Sequence, residues 1–125
     1  MTIDSSPHSS TRLFVYGTLK RGQPRAHYLR NETFLGKAVT CPQYRLVNCG
    51  DYPGLVSSDA GIAIQGELWE VSRRCLQILD NVEGVPFNLY QRAEIQLQQP
   101  WNSEPTITYL YQPDVTGLPD CGACW

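Results

Sequence analysis

The apolar run Leu13-Phe14-Val15-Tyr16 stops abruptly at Gly17. Three consecutive apolar residues ahead of Tyr16 predict a buried strand, and glycine at 17 permits a turn that a residue with a Cβ would resist. A sharp turn after a strand points successive backbone N–H groups into one hollow, a nest that suits a carboxylate. Lys20 and Arg21 follow at once and favour negative charge nearby. Gly17 and Gly22 have the spacing of a phosphate loop, but Gln23-Pro24 stands where Lys and Ser/Thr are required.

Further along, residues 24–30 predict a short helix, with proline tolerated in its first turn and Asn31 ending it. Phe34, Leu35, Ala38 and Val39, then Tyr44, Leu46 and Val47, predict two strands or one kinked strand, broken at Cys41-Pro42. Asn48-Cys49-Gly50-Asp51-Tyr52-Pro53-Gly54 is a loop of turn formers leading into a short strand. Residues 62–71 alternate as a strand, with Gly66 allowing a bulge or a close backbone approach. Ser72 is a plausible N-cap for a helix over Arg73–Val82, whose apolar stripe is Cys75, Leu76, Leu79 and Val82.

Glu83 continues that stripe, so a carboxylate stands where a core side chain is expected, and Gly84 ends the helix. A partly buried glutamate has a raised pKa and suits proton transfer near neutral pH. The structural alternatives are a buried ion pair, for instance with Arg92, or an exposed position where the helix frays. Asp80 is the next candidate on the inward face. Residues 89–98 and 106–111 predict a hairpin, with Tyr90, Arg92 and Glu94 on one face and Ala93, Ile95 and Leu97 on the other. Strands outnumber helices without alternating with them, which predicts an α+β fold around a largely antiparallel, barrel-like sheet and excludes a doubly wound nucleotide fold.

At 125 residues the chain suits one domain: a polar lead-in over residues 1–11, a folded body over 12–112 and an irregular tail over 113–125. A net charge of -2 and a pI near 5.6 give no electrostatic footprint for nucleic acid or a membrane surface. The lead-in lacks the apolar core of a secretory signal, and the cytoplasm is the default location. Five cysteines are an odd count for a disulfide framework. Cys121-Gly122-Ala123-Cys124 has the spacing of a redox pair but lacks the following helix that such chemistry favours. No Cys/His cluster of metal spacing and no G-x-S-x-G elbow is present.

Val15-Tyr16-Gly17-Thr18-Leu19, Tyr52-Pro53-Gly54, Gly66-Glu67-Leu68-Trp69, Leu79-Asp80-Asn81-Val82-Glu83-Gly84 and Tyr90-Gln91-Arg92 together resemble the γ-glutamylcyclotransferase-like family, over roughly residues 12–112. Gly17 to Pro24 looks particularly like its γ-glutamylamine cyclotransferase branch. The resemblance implies a small mixed or mainly antiparallel β-barrel flanked by helices. It also implies conversion of a small-molecule γ-glutamyl substrate to 5-oxoproline and a free amine, without a cofactor or metal. Glu83 is then the general acid/base, and Tyr16, Gly17, Thr18, Leu19, Tyr52, Pro53, Gly54, Tyr90 and Tyr111 surround the substrate. Arg92 is expected to brace the site by pairing with Asp80 or Glu83. The alternative is a non-catalytic module of this fold that binds a small carboxylated ligand. The sequence leaves the departing amine and the oligomeric state open.

Overall fold

The computed structural model describes residues 10–125. Most of the expected lead-in therefore lies outside the described residues, and Thr11 already belongs to the first strand. In chain order the elements are β1 (Thr11–Val15), a 3-10 turn (Ala26–Leu29), β2 (Thr33–Val39), β3 (Tyr44–Asn48), β4 (Pro53–Ser57) and β5 (Gln65–Val71). There follow α1 (Arg73–Val82), a second 3-10 turn (Val85–Phe87), β6 (Tyr90–Glu94) and β7 (Ile107–Tyr111).

Five strands form a sheet in the order β2-β5-β1-β7-β6, and β3 pairs with β4 in a separate two-stranded sheet. The large sheet is mixed, because β1 runs parallel to β7 while its other neighbour, β5, is antiparallel. β1 lies at the centre because both of its faces are apolar. Leu13 and Val15 point into one core with Leu29, Val71, Leu76 and Leu79. Phe14 points into a second core with Leu46, Leu55, Ile64 and Leu68. Residues of a strand alternate between faces, so one continuous apolar run serves both cores.

The expected mixed α+β sheet is present, but the barrel is not closed. β2 and β6 are the two edges of the sheet, and they meet only beyond their ends, at an isolated bridge between Thr40 and Leu97. There the amide of Cys41 donates to the Gln96 carbonyl at 2.8 Å, and that of Gln98 to the Val39 carbonyl at 2.9 Å. The sheet curls far enough to bring its edges together at one end, while the strands are too short to pair along their length.

α1 follows its sequence closely. The Ser72 hydroxyl accepts from the Cys75 amide at 3.1 Å, capping the first turn. Cys75, Leu76 and Leu79 are buried against the β1 core, and a fully buried leucine such as Leu79 contributes about 1.5–3 kcal/mol. Gly84 leaves the helix in the left-handed region, at φ 67°. Gly66 is a close-approach position: a Cβ there would lie 2.4 Å from the Val15 carbonyl oxygen.

Residues 112–125 carry no strand or helix, yet residues 119–121 lie beside β3, where the Asn48 amide donates to the Pro119 carbonyl at 2.8 Å. Asp120 bridges Val47, and the Cys121 amide donates to Leu46 at 2.7 Å. All five cysteines are free thiols, and burial pushes Cys121 up, opposite to the activation a redox thiol needs. Among the described residues no helix is long and apolar enough to cross a membrane.

Candidate active site

The end of β1, the starts of β4 and β6 and the C-terminal end of α1 converge on one cleft that opens to solvent. Tyr16 to Leu19, Arg25, Tyr52, Pro53, Val82, Glu83, Leu89, Tyr90 and Tyr109 line it, with Phe14 and Val15 beneath.

The turn after β1 forms one wall. Gly17 does not adopt the left-handed backbone that would demand glycine. Its requirement is steric instead, since a Cβ would lie 2.6 Å from Cγ and 2.8 Å from Cδ of Pro53. The turn closes through the Lys20 amide, which donates to the Gly17 carbonyl at 3.1 Å. Glu67 braces it from β5: its carboxylate accepts from the Arg21 amide at 3.0 Å, Arg21 Nε at 3.1 Å and Trp69 Nε1 at 3.2 Å. The Arg21 guanidinium lies 3.7 Å from the centre of the Phe34 ring. Among the described residues none accepts a hydrogen bond from the amides of Gly17, Thr18 and Leu19, so this wall presents backbone donors.

Glu83 faces that wall from the end of α1, and its side chain is only 12% exposed. Burial pushes its carboxyl up to about 7, against the opposing attraction of Arg25. Its place as the C-terminal cap adds to the cost of charging it, because the negative end of the helix dipole lies there. Arg25 Nη1 lies 3.4 Å from Glu83 Oε2, a long contact for an ion pair.

The Asp80 carboxylate is held elsewhere. Arg92 binds it with both arms, at 2.9 and 2.6 Å, and the Tyr109 hydroxyl donates to it at 2.8 Å. Burial pushes Asp80 up, but these donors outweigh it and the carboxyl sits below its ordinary value. Arg92 therefore pairs with Asp80 and not with Glu83.

The tyrosines are committed as donors. Tyr16 donates to the Tyr109 carbonyl at 2.5 Å and Tyr90 to the Pro53 carbonyl at 2.6 Å. Burial pushes both hydroxyls well up, and the neighbouring Glu83 charge adds to this. They tie β1 to β7 and β6 to β4, and they stay neutral. Tyr52 packs its ring against Tyr90 and Tyr111. Tyr111 and Gly54, expected around the substrate, do not line the cleft; they contact each other, and a Cβ on Gly54 would lie 2.7 Å from the Tyr111 ring.

Sequence reasoning missed two polar residues of this site. Tyr109 looked like an ordinary strand residue, and its hydroxyl reaches Asp80 only because β7 passes under α1. Arg25 belongs to no periodic pattern. It arrives because the chain doubles back after Pro24, where the Arg25 amide donates to the Thr18 carbonyl at 2.8 Å.

The family model described as γ-glutamyl cyclotransferase, AIG2-like, matches residues 13–125. The chain belongs to this family. It is 37% identical over 94 residues to the γ-glutamylaminecyclotransferase of Rattus norvegicus, an alignment that covers 69% of this chain and 62% of the rat protein. It is also 34% identical over 108 residues to the γ-L-glutamyl-butirosin B γ-glutamyl cyclotransferase of Niallia circulans, covering 82% of this chain and 67% of that one. The crystal structure of an AIG2-like protein from Mus musculus superimposes with a TM-score of 0.78 at 32% identity, over 93% of this chain and 88% of that chain. The matched stretch thus spans less than two thirds of the rat relative's length.

Proposed function

We propose that this γ-glutamyl cyclotransferase family member converts γ-glutamyl amines or γ-glutamyl amino acids to 5-oxoproline, releasing the free amine, with Glu83 as general acid/base. The observation that carries the reading is a single carboxyl, raised to about 7 by burial, facing a turn of backbone donors. Both the rat and the Niallia circulans relatives bear names of that activity.

The amides of Gly17, Thr18 and Leu19 hold the α-carboxylate of the γ-glutamyl group. Ionised Glu83 takes a proton from the α-ammonium, freeing a lone pair that attacks the side-chain carbonyl of the same molecule. Glu83 returns the proton to the departing nitrogen as the C–N bond breaks and the carbonyl re-forms, and it carries a second proton in the same way from the ring nitrogen to the released amine. Across the reaction two protons pass from the α-nitrogen to the leaving amine, and the ring keeps one N–H. Nucleophile and electrophile already share one chain, so closure of the five-membered ring needs orientation and proton transfer alone. Tyr16 and Tyr90 hold the walls in register, and Tyr52 and Pro53 close the side of the cleft.

The test is to incubate purified protein with γ-glutamyl amines and γ-glutamyl amino acids and assay 5-oxoproline. Catalysed release is the expected result. Binding of these compounds with no 5-oxoproline from any of them would leave a carboxylate-binding module in place of an enzyme.

A further inference from the structure

We infer that Arg25 selects what leaves: the departing amine carries a carboxylate, as a γ-glutamyl amino acid does, and an amine with a second positive charge is disfavoured. The inference rests on the cyclotransferase reading, to which it adds the substrate class.

Three observations carry it. First, among the described residues Arg25 is the only cationic side chain lining the cleft, and Glu83 the only acidic one. Second, the two sit at different depths, with the Glu83 side chain 12% exposed and that of Arg25 42% exposed. A γ-glutamyl group whose α-carboxylate lies on the Gly17 to Leu19 amides and whose α-nitrogen lies at Glu83 fills the enclosed end. On that placement, what is attached through the scissile amide extends toward the more exposed side of the cleft, where the guanidinium lies. Third, Arg25 is fixed at its backbone and spare at its head. Its amide is tied to Thr18 at 2.8 Å, whereas its guanidinium makes one contact of 3.4 Å to Glu83 and no other hydrogen bond among the described residues.

The charges reinforce one another during turnover. When Glu83 accepts the substrate proton it becomes neutral, and Arg25 loses the acidic partner it has in the cleft. A carboxylate on the leaving group takes that place at the stage when the carboxyl must stay protonated to act as the acid. A second ammonium would instead face an uncompensated guanidinium. An arginine fork accommodates a carboxylate with two parallel hydrogen bonds, which a neutral alkyl amine cannot supply.

The experiment uses three conjugates of equal length that differ only at the far end: γ-glutamyl-4-aminobutyrate, γ-glutamyl-butylamine and γ-glutamyl-1,4-diaminobutane. The wild-type protein should favour the anionic conjugate over the neutral one by roughly tenfold in kcat/KM, chiefly through KM, with the cationic conjugate poorest. Arg25→Gln should flatten the order, Arg25→Lys should restore part of it, and Arg25→Glu should favour the cationic conjugate. These are ratios within one variant, so a general loss of activity does not disturb them. Equal kcat/KM for the three conjugates, or an order that survives in Arg25→Gln, overturns the inference and leaves the cyclotransferase reading standing. An absence of 5-oxoproline from all three and from the wider panel of γ-glutamyl amines and γ-glutamyl amino acids overturns both.

Discussion

Asp80 and Glu83 stand at the same end of α1, and the fold treats them in opposite ways. Asp80 faces the β6–β7 side, where Arg92 and Tyr109 supply three short hydrogen bonds and hold its carboxyl below the ordinary range. Glu83 faces the cleft, where burial is met by one long contact from Arg25 and its carboxyl rises to about 7. Burial pushes both carboxyls upward. The number of donors decides which one keeps its charge and braces the structure, and which one can exchange a proton near neutral pH.

The largest test of that contrast is catalytic. Glu83→Gln should lower kcat/KM for 5-oxoproline release by about 10³-fold, and Asp80→Asn by less than about tenfold, measured on the best γ-glutamyl conjugate. Equal losses would show that the two carboxylates are not divided between chemistry and support.

A second test reads stability against pH. Glu83 has a folded pKa of about 7 against an ordinary 4.5, so the folded protein binds the proton more tightly than the unfolded chain does. Its contribution is fully present below about 4.5 and is lost as pH rises through 7, amounting to at most about 3 kcal/mol. Urea unfolding at pH 5 and pH 8 should therefore show wild type losing stability relative to Glu83→Gln as pH rises. Asp80 has the opposite sign. Its contribution is present above the ordinary 3.8 and is lost as pH falls below it. A wild-type to Glu83→Gln difference that does not vary with pH would refute a raised Glu83.

The smallest effect comes from making Asp80 resemble Glu83. Arg92→Gln removes the bidentate donor and leaves Tyr109, so the Asp80 pKa should rise, as followed by carboxyl NMR. Folding stability should fall by about 1 kcal/mol, because the pair is partly exposed. An unmoved Asp80 would mean that Arg92 does not hold it down.

Much of this was legible along the chain, where the signal is local. The Ser72 cap, the stripe through Cys75, Leu76 and Leu79, and the Gly84 exit fixed α1 and so the inward position of Glu83. The pressure for glycine at 17 comes from the Pro53 ring packed against it, which no local pattern reports. Tyr111 and Gly54 were expected around the substrate with their sequence neighbours but do not line the cleft.

By itself, then, the order of residues determined which segments become strands, where α1 begins and stops, and that an acidic group lies in line with apolar ones. These depend on side-chain periodicity and on backbone preferences spanning a few neighbours. Only the tertiary structure decided the partners. Arg92 goes to Asp80, Arg25 comes to Glu83 after a turn, and β7 brings Tyr109 beneath α1. Those pairings join residues far apart in the chain, and the proton affinity of a carboxyl depends on which charges and donors the fold sets around it, not on its neighbours in sequence.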